Sequence, residues 1–216
     1  TEYRTAFSQP PTQARELQTT FREDGDAGPL TGTTWMDQTA CLGTVNVSSL
    51  WSQRRPLLGF WRTAADPAVA LRLRGLKDGH DFAALLGEWH SHLDAPEDSI
   101  YEGEDLRVRL ELRGTGVRAA DLGDGQYELR AGDHRAVISV TDGTFFGEPV
   151  RFVVGNEAGV AYVDAVLYHG AARRFDFRDA NALDLRIDLE IQPVTGAGDG
   201  AGIGAAITQP AGTPNR

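Results

Sequence analysis

Strict two-residue alternation is the feature that most limits what this chain can fold into. In Leu183-Asp184-Leu185-Arg186-Ile187-Asp188-Leu189-Glu190-Ile191 every second residue is apolar and the residues between are charged. Successive side chains leave a strand on opposite faces, so this pattern gives one face to a core and the other to water. On a helix of 3.6 residues per turn it would scatter the apolar groups around the whole circumference. Leu106-Arg107-Val108-Arg109-Leu110-Glu111-Leu112 and Val69-Ala70-Leu71-Arg72-Leu73-Arg74 repeat the pattern. Further strands are predicted at Leu17 to Phe21, Gly32 to Met36, Cys41 to Val47, Tyr127 to Arg130, Ala136 to Val140, Val150 to Val154, Val160 to Tyr168 and Arg174 to Phe177. Between or beside them Asp24-Gly25, Asp78-Gly79, Asp124-Gly125, Asp142-Gly143 and Gly155-Asn156 read as turns, because these residue types tolerate positive φ.

Many short strands without alternating helices predict an all-β fold, an antiparallel two-sheet β-sandwich of jelly-roll or supersandwich type. At most one short helix fits, over Asp81 to Trp89. The chain has 216 residues, enough for one good-sized core. The expected division is a β-sandwich over 1–192 and a disordered Gly/Ala/Thr/Pro-rich tail over 193–216, where the composition offers little to bury. With 31 acidic against 21 basic side chains the net charge is -10, which argues against a nucleic-acid partner. No apolar run reaches the roughly 18 to 20 residues that span a bilayer, and no signal segment is read at the start, so a soluble protein without a membrane partner is expected. The single Cys41 excludes an intrachain disulfide framework.

Three groups of residues carry candidate chemistry. Trp51-Ser52-Gln53-Arg54-Arg55-Pro56-Leu57-Leu58-Gly59-Phe60-Trp61 brackets a double arginine with indoles. Indoles stack on the flat apolar faces of sugar rings, and a guanidinium grips a carboxylate with two parallel bonds, so Trp51, Arg54, Arg55 and Trp61 are candidate contacts to an acidic glycan. In a regular strand Arg54 and Arg55 point to opposite faces, so both serve one ligand only across a bulge or turn. The same residues equally suit a buried aromatic strand with a structural ion pair.

The second group lies in Gly87-Glu88-Trp89-His90-Ser91-His92-Leu93-Asp94-Ala95-Pro96-Glu97. In an extended conformation His90 and His92 share one face, and Glu97 or Asp94 would complete a two-histidine, one-carboxylate metal site. This spacing resembles the first motif of cupins. Their second motif is met only by Arg130-Ala131-Gly132-Asp133-His134, which lacks the proline and one spacer residue. His134 or His169 is then the further ligand, and a closed tetrahedral set would hold a structural zinc. Asp78-Gly79-His80-Asp81 places an imidazole between carboxylates, or forms a tight turn in which Asp81 caps a short helix. No Gly-x-Ser-x-Gly elbow, phosphate loop, dinucleotide fingerprint or Cys pair supports other catalytic classes.

Taken together, Leu30-Thr31-Gly32-Thr33-Thr34-Trp35-Met36, Leu42-Gly43-Thr44-Val45-Asn46, Leu50 to Trp61 and Leu71 to Phe82 resemble the β-domain of heparinase II/III-like polysaccharide-degrading proteins. The resemblance implies a β-sandwich that accompanies an α/α toroid, with the polysaccharide cleft between them and most catalytic residues on the toroid. Some such relatives carry a metal in the sandwich, which His90 and His92 would fit. The expected function is that of a non-catalytic β-sandwich in a polysaccharide lyase or hydrolase system, supporting or binding acidic polysaccharide or oligosaccharide, with an α/α-toroid catalytic domain as partner. The alternatives are a small metal-dependent cupin-like enzyme using His90, His92 and Glu97, and a structural or interaction module.

Overall fold

A computed structural model describes residues 15–21, 30–45, 57–81, 100–176, 183–194 and 203–208. Every regular element in them is a strand, so the expected all-β class holds. No helix among these residues is long and apolar enough to cross a membrane.

The strands in chain order are β1 (Arg15–Phe21), β2 (Leu30–Met36), β3 (Ala40–Val45), β4 (Leu57–Trp61), β5 (Val69–Lys77), β6 (His80–Asp81), β7 (Ile100–Arg113), β8 (Arg118–Gly123), β9 (Gln126–Ala131), β10 (His134–Phe145), β11 (Glu148–Pro149), β12 (Arg151–Glu157), β13 (Val160–Asp176), β14 (Leu183–Pro193) and β15 (Ile203–Thr208). They form two antiparallel sheets. The larger runs β1-β2-β3-β4-β5-β7-β13-β12 with β6 paired to β5, and the smaller runs β15-β14-β10-β9-β8 with β11 paired to β10. The chain changes sheet between β7 and β8, between β11 and β12, and between β13 and β14. Two sheets linked in this way enclose a single core, the predicted sandwich.

Alternation decides which residues fill it. Leu183, Leu185, Ile187, Leu189 and Ile191 of β14 all point inward, while Asp184 and Arg186 between them are exposed. From the larger sheet Leu57, Trp61, Val69, Leu71, Leu73, Leu106, Leu110 and Leu112 meet them. Near the edge of the sandwich a side chain replaces a backbone rung. Asn156 on β12 accepts a bond from the Ala119 N–H at 2.7 Å and donates its amide to the Ala119 carbonyl at 3.1 Å, linking the outer strand of one sheet to the outer strand of the other.

Several local expectations change. Asp78-Gly79 and Asp124-Gly125 are two-residue hairpin turns with both residues at positive φ, 49° and 81° in the first, 52° and 73° in the second. Asp142-Gly143 lies inside β10 beside a bulge, and Gly155-Asn156 lies inside β12, so neither turns the chain. Asp81 belongs to β6, where it pairs with Leu76, and the rest of the predicted helix lies outside the described residues. The tail is not uniformly without structure: β14 ends at Pro193, and Ile203–Thr208 forms β15 along its edge. Backbone pairing with an existing strand needs no large side chains, which is why a Gly/Ala-rich stretch can supply it.

Candidate functional site

Trp51, Arg54 and Arg55 lie outside the described residues, as do His90, His92 and Glu97. Trp61 is described and is 2% exposed. Its indole N–H donates to the Ala131 carbonyl at 3.2 Å across the sandwich, so the ring joins the core and offers no face to a sugar. The physical reason is register: β4 reads buried, exposed, buried, exposed, buried, and Trp61 falls on the inward set with Leu57.

His134 is also buried, at 6% exposure. Its Nδ1 lies 3.0 Å from Asp133 Oδ1 and its Nε2 lies 3.1 Å from Thr39 Oγ1. Both ring nitrogens are thus engaged, Nδ1 within the β9–β10 turn and Nε2 across to the β2–β3 turn, and neither faces an open ligand position. His169 places Nδ1 at 2.9 Å from Asp105 Oδ2. Among the described residues no three His, Cys, Asp or Glu side chains are grouped to hold a metal.

A different constellation occupies the outer face of the larger sheet. Because Leu71 and Leu73 of β5, Leu106, Val108, Leu110 and Leu112 of β7, and Val163 and Ala165 of β13 face the core, the intervening residues face away from it. The register sets Arg72 opposite Glu111, Arg74 opposite Arg109, Arg109 opposite Asp164 and Glu111 opposite Tyr162. Side chains on neighbouring strands stand roughly 5 Å apart, so this face becomes a lattice of charges.

Two fully buried carboxylates anchor the lattice. Asp164 accepts from Arg109 Nε at 2.6 Å and Nη2 at 2.8 Å, and from Arg107 Nη1 at 3.1 Å. Glu111 accepts from Arg72 Nε at 2.5 Å, Arg113 Nε at 2.9 Å and Arg74 Nη1 at 3.0 Å. Asp105 takes both Nε and Nη2 of Arg107 at 2.6 Å. Five guanidiniums therefore share three carboxylates, a balance of 5 − 3 = +2 within a chain of net charge -10.

Arg74, Arg107 and Arg109 line an open cavity of about 350 Å³ together with Leu76, Asp78, Gly79 and Asp105. The Asp78-Gly79 turn forms one wall. It is pinned to β7 because Asp78 Oδ1 accepts the backbone N–H groups of Glu104 at 3.0 Å and Asp105 at 2.9 Å. The Asp78-to-Asp81 cluster thus works as a hairpin, with Asp78 anchored to backbone. With Asp78 counted as well, these five guanidiniums and four carboxylates carry a balance of +1.

Ionisation follows from these contacts. Hydrogen bonds from Arg107 hold the Asp105 carboxyl below the usual range and in turn raise the Arg107 guanidinium. Burial pushes the Glu111 carboxyl up, but the bonds from Arg72 and Arg74 outweigh it and the net direction is down. Burial likewise opposes the charge on Arg109, and the bonds to Asp164 reverse that. A carboxylate depressed in the folded state contributes stability that is present above its unfolded pKa, roughly 4, and is lost as pH falls through the folded value. The melting temperature is therefore expected to fall from about pH 4 downward, with a shallower fall in Glu111→Gln. A flat profile between pH 7 and pH 3 contradicts the assignment.

Sequence reading missed this field although its signal was present. Leu71-Arg72-Leu73-Arg74 and Arg107-Val108-Arg109 put cations at the polar positions of the very strands that define the fold, in a chain rich in acids. No family model matches this chain, and no curated protein or solved structure is significantly similar to it.

Proposed function

We propose that this chain is a non-catalytic β-sandwich module of a carbohydrate-active system that binds acidic polysaccharide on the outer face of its larger sheet. The observation that carries this reading is the preorganisation of Arg74, Arg107 and Arg109 around one cavity. Their side chains are 16%, 27% and 16% exposed: Arg109 is held by Asp164 through Nε and Nη2, Arg107 by Asp105 through the same two atoms and by Asp164 through Nη1, and Arg74 by Glu111 through Nη1. Holding the forks in place before an anion arrives removes the entropy cost of ordering long side chains on binding. A guanidinium presents paired donors that match carboxylate or sulfate oxygens.

The polysaccharide class is supported by the resemblance of residues 30 to 112 to heparinase II/III-like β-domains. On this reading an α/α-toroid domain is the catalytic partner. Asp78 and Asp105 beside the arginines suit a ligand that carries hydroxyl donors next to its anion.

Equilibrium binding to polygalacturonate, with neutral dextran as control, tests the proposal. The wild type is expected to bind only the acidic polymer, and more weakly as salt rises. An Arg107→Lys, Arg109→Lys double variant keeps the charges that neutralise Asp164 but loses the forks, and its affinity is expected to fall about tenfold. Equal binding of both polymers, or of both proteins, contradicts the reading.

A further inference from the structure

On the β13–β12 side of the arginine face, one side chain lies where another is missing. Tyr162 of β13 stands opposite Gly155 of β12. A Cβ on Gly155 would overlap the Cζ, Cε2 and Oη atoms of the Tyr162 ring, so the ring lies flat across the bare glycine backbone. Above it sits Arg109, its Cζ 3.6 Å from the ring centroid. Gly155 occurs within a strand without positive φ, so backbone conformation does not demand it. Space for the ring does.

We propose that Gly155 and Tyr162 form a platform that positions the Arg109 guanidinium for the anion in the neighbouring cavity. This rests on the anion-binding reading of the arginine face. Asp164 fixes the Nε and Nη2 atoms of Arg109 in the plane of the guanidinium. Stacking on Tyr162 fixes the perpendicular direction, which an in-plane ion pair leaves soft. With one edge and one face held, Arg109 retains its Nη1 donors for the cavity that it lines. A larger residue at 155 lifts the ring, and a non-aromatic residue at 162 removes it, so both routes release the same guanidinium. Tyr162 and Gly155 are positioning residues, because they reach the anion only through Arg109.

Polygalacturonate is titrated into wild-type protein and into Gly155→Ala, Tyr162→Leu and Tyr162→Phe variants. The Nε–Hε resonance of Arg109 is recorded in parallel, a readout that loss of general packing elsewhere does not move. Gly155→Ala and Tyr162→Leu are expected to bind about fivefold more weakly and to lose the slowly exchanging Arg109 resonance. Tyr162→Phe keeps the ring and is expected to stay within about twofold of wild type, with the resonance retained. Wild-type binding that Gly155→Ala and Tyr162→Leu leave intact overturns the platform while sparing the anion-binding reading. Equal loss in Tyr162→Phe and Tyr162→Leu also overturns it, by assigning the effect to the hydroxyl. A wild type that binds no acidic polymer removes the anion-binding reading and the platform's role together. Should Gly155→Ala fail to fold, the Tyr162 pair decides the question.

Discussion

Asp164→Ala is expected to lower the unfolding free energy by about 2 to 4 kcal/mol. The carboxylate is fully buried and is shared by Arg107 and Arg109. Removing it leaves Arg109 without a carboxylate partner and with Arg74 opposite it in the register, while Asp105 still holds Arg107 through Nε and Nη2. Breaking a buried pair costs up to about 5 kcal/mol when the surviving charge stays dry. The expected cost is lower here because the arginine side chains keep 16% and 27% of their surface in water and can rehydrate. Asp164→Asn should lose most of the same free energy, since the amide presents donors where acceptors are needed. Urea unfolding with an unchanged denaturant dependence reads the effect. A loss below about 0.5 kcal/mol would mean that the arginines are held by something other than Asp164.

Trp61→Ala is expected to destabilise by about 3 to 5 kcal/mol, because it opens a cavity between the sheets. The indole is 2% exposed, and its N–H satisfies the Ala131 carbonyl, which the variant leaves without that donor. Its neighbour His134, at 6.4 Å between ring centroids, would lose a packing surface on the same side. Trp61→Phe fills much of the volume and should cost distinctly less. The affinity of Trp61→Phe for acidic polymer is expected to match wild type, since the ring never reaches the outer face. A folded, stable Trp61→Phe protein that no longer binds would return this residue to the ligand site.

The alternating strands made the fold legible, because a period of two is written directly into residues such as Leu183 to Ile191 and needs no knowledge of partners. Sheet order was not legible. That β13 sits between β7 and β12, or that β10 pairs with β14, depends on contacts between residues far apart in the chain. The same limit explains the site. Arg72 and Glu111 are 39 positions apart, and Arg109 and Asp164 are 55 apart, so no local spacing announces that they meet. By residue type the Trp61 indole and the His134 imidazole suit ligand contacts, whereas burial decides their roles, and burial follows from which parity of the strand faces inward. Charge at polar strand positions carried the useful signal, since three adjacent strands stacked those positions into one field.

An acidic polysaccharide bound by the arginine field touches this chain at β5, β7 and β13. Backbone amide shifts recorded during titration with polygalacturonate locate that contact directly. The arginine field predicts perturbations concentrated in β5, β7 and β13 around Arg74, Arg107, Arg109 and Tyr162, together with the Asp78-Gly79 turn, and quiet amides in β9, β10 and β14. Perturbations centred on the smaller sheet, or none at saturating polymer, would contradict it.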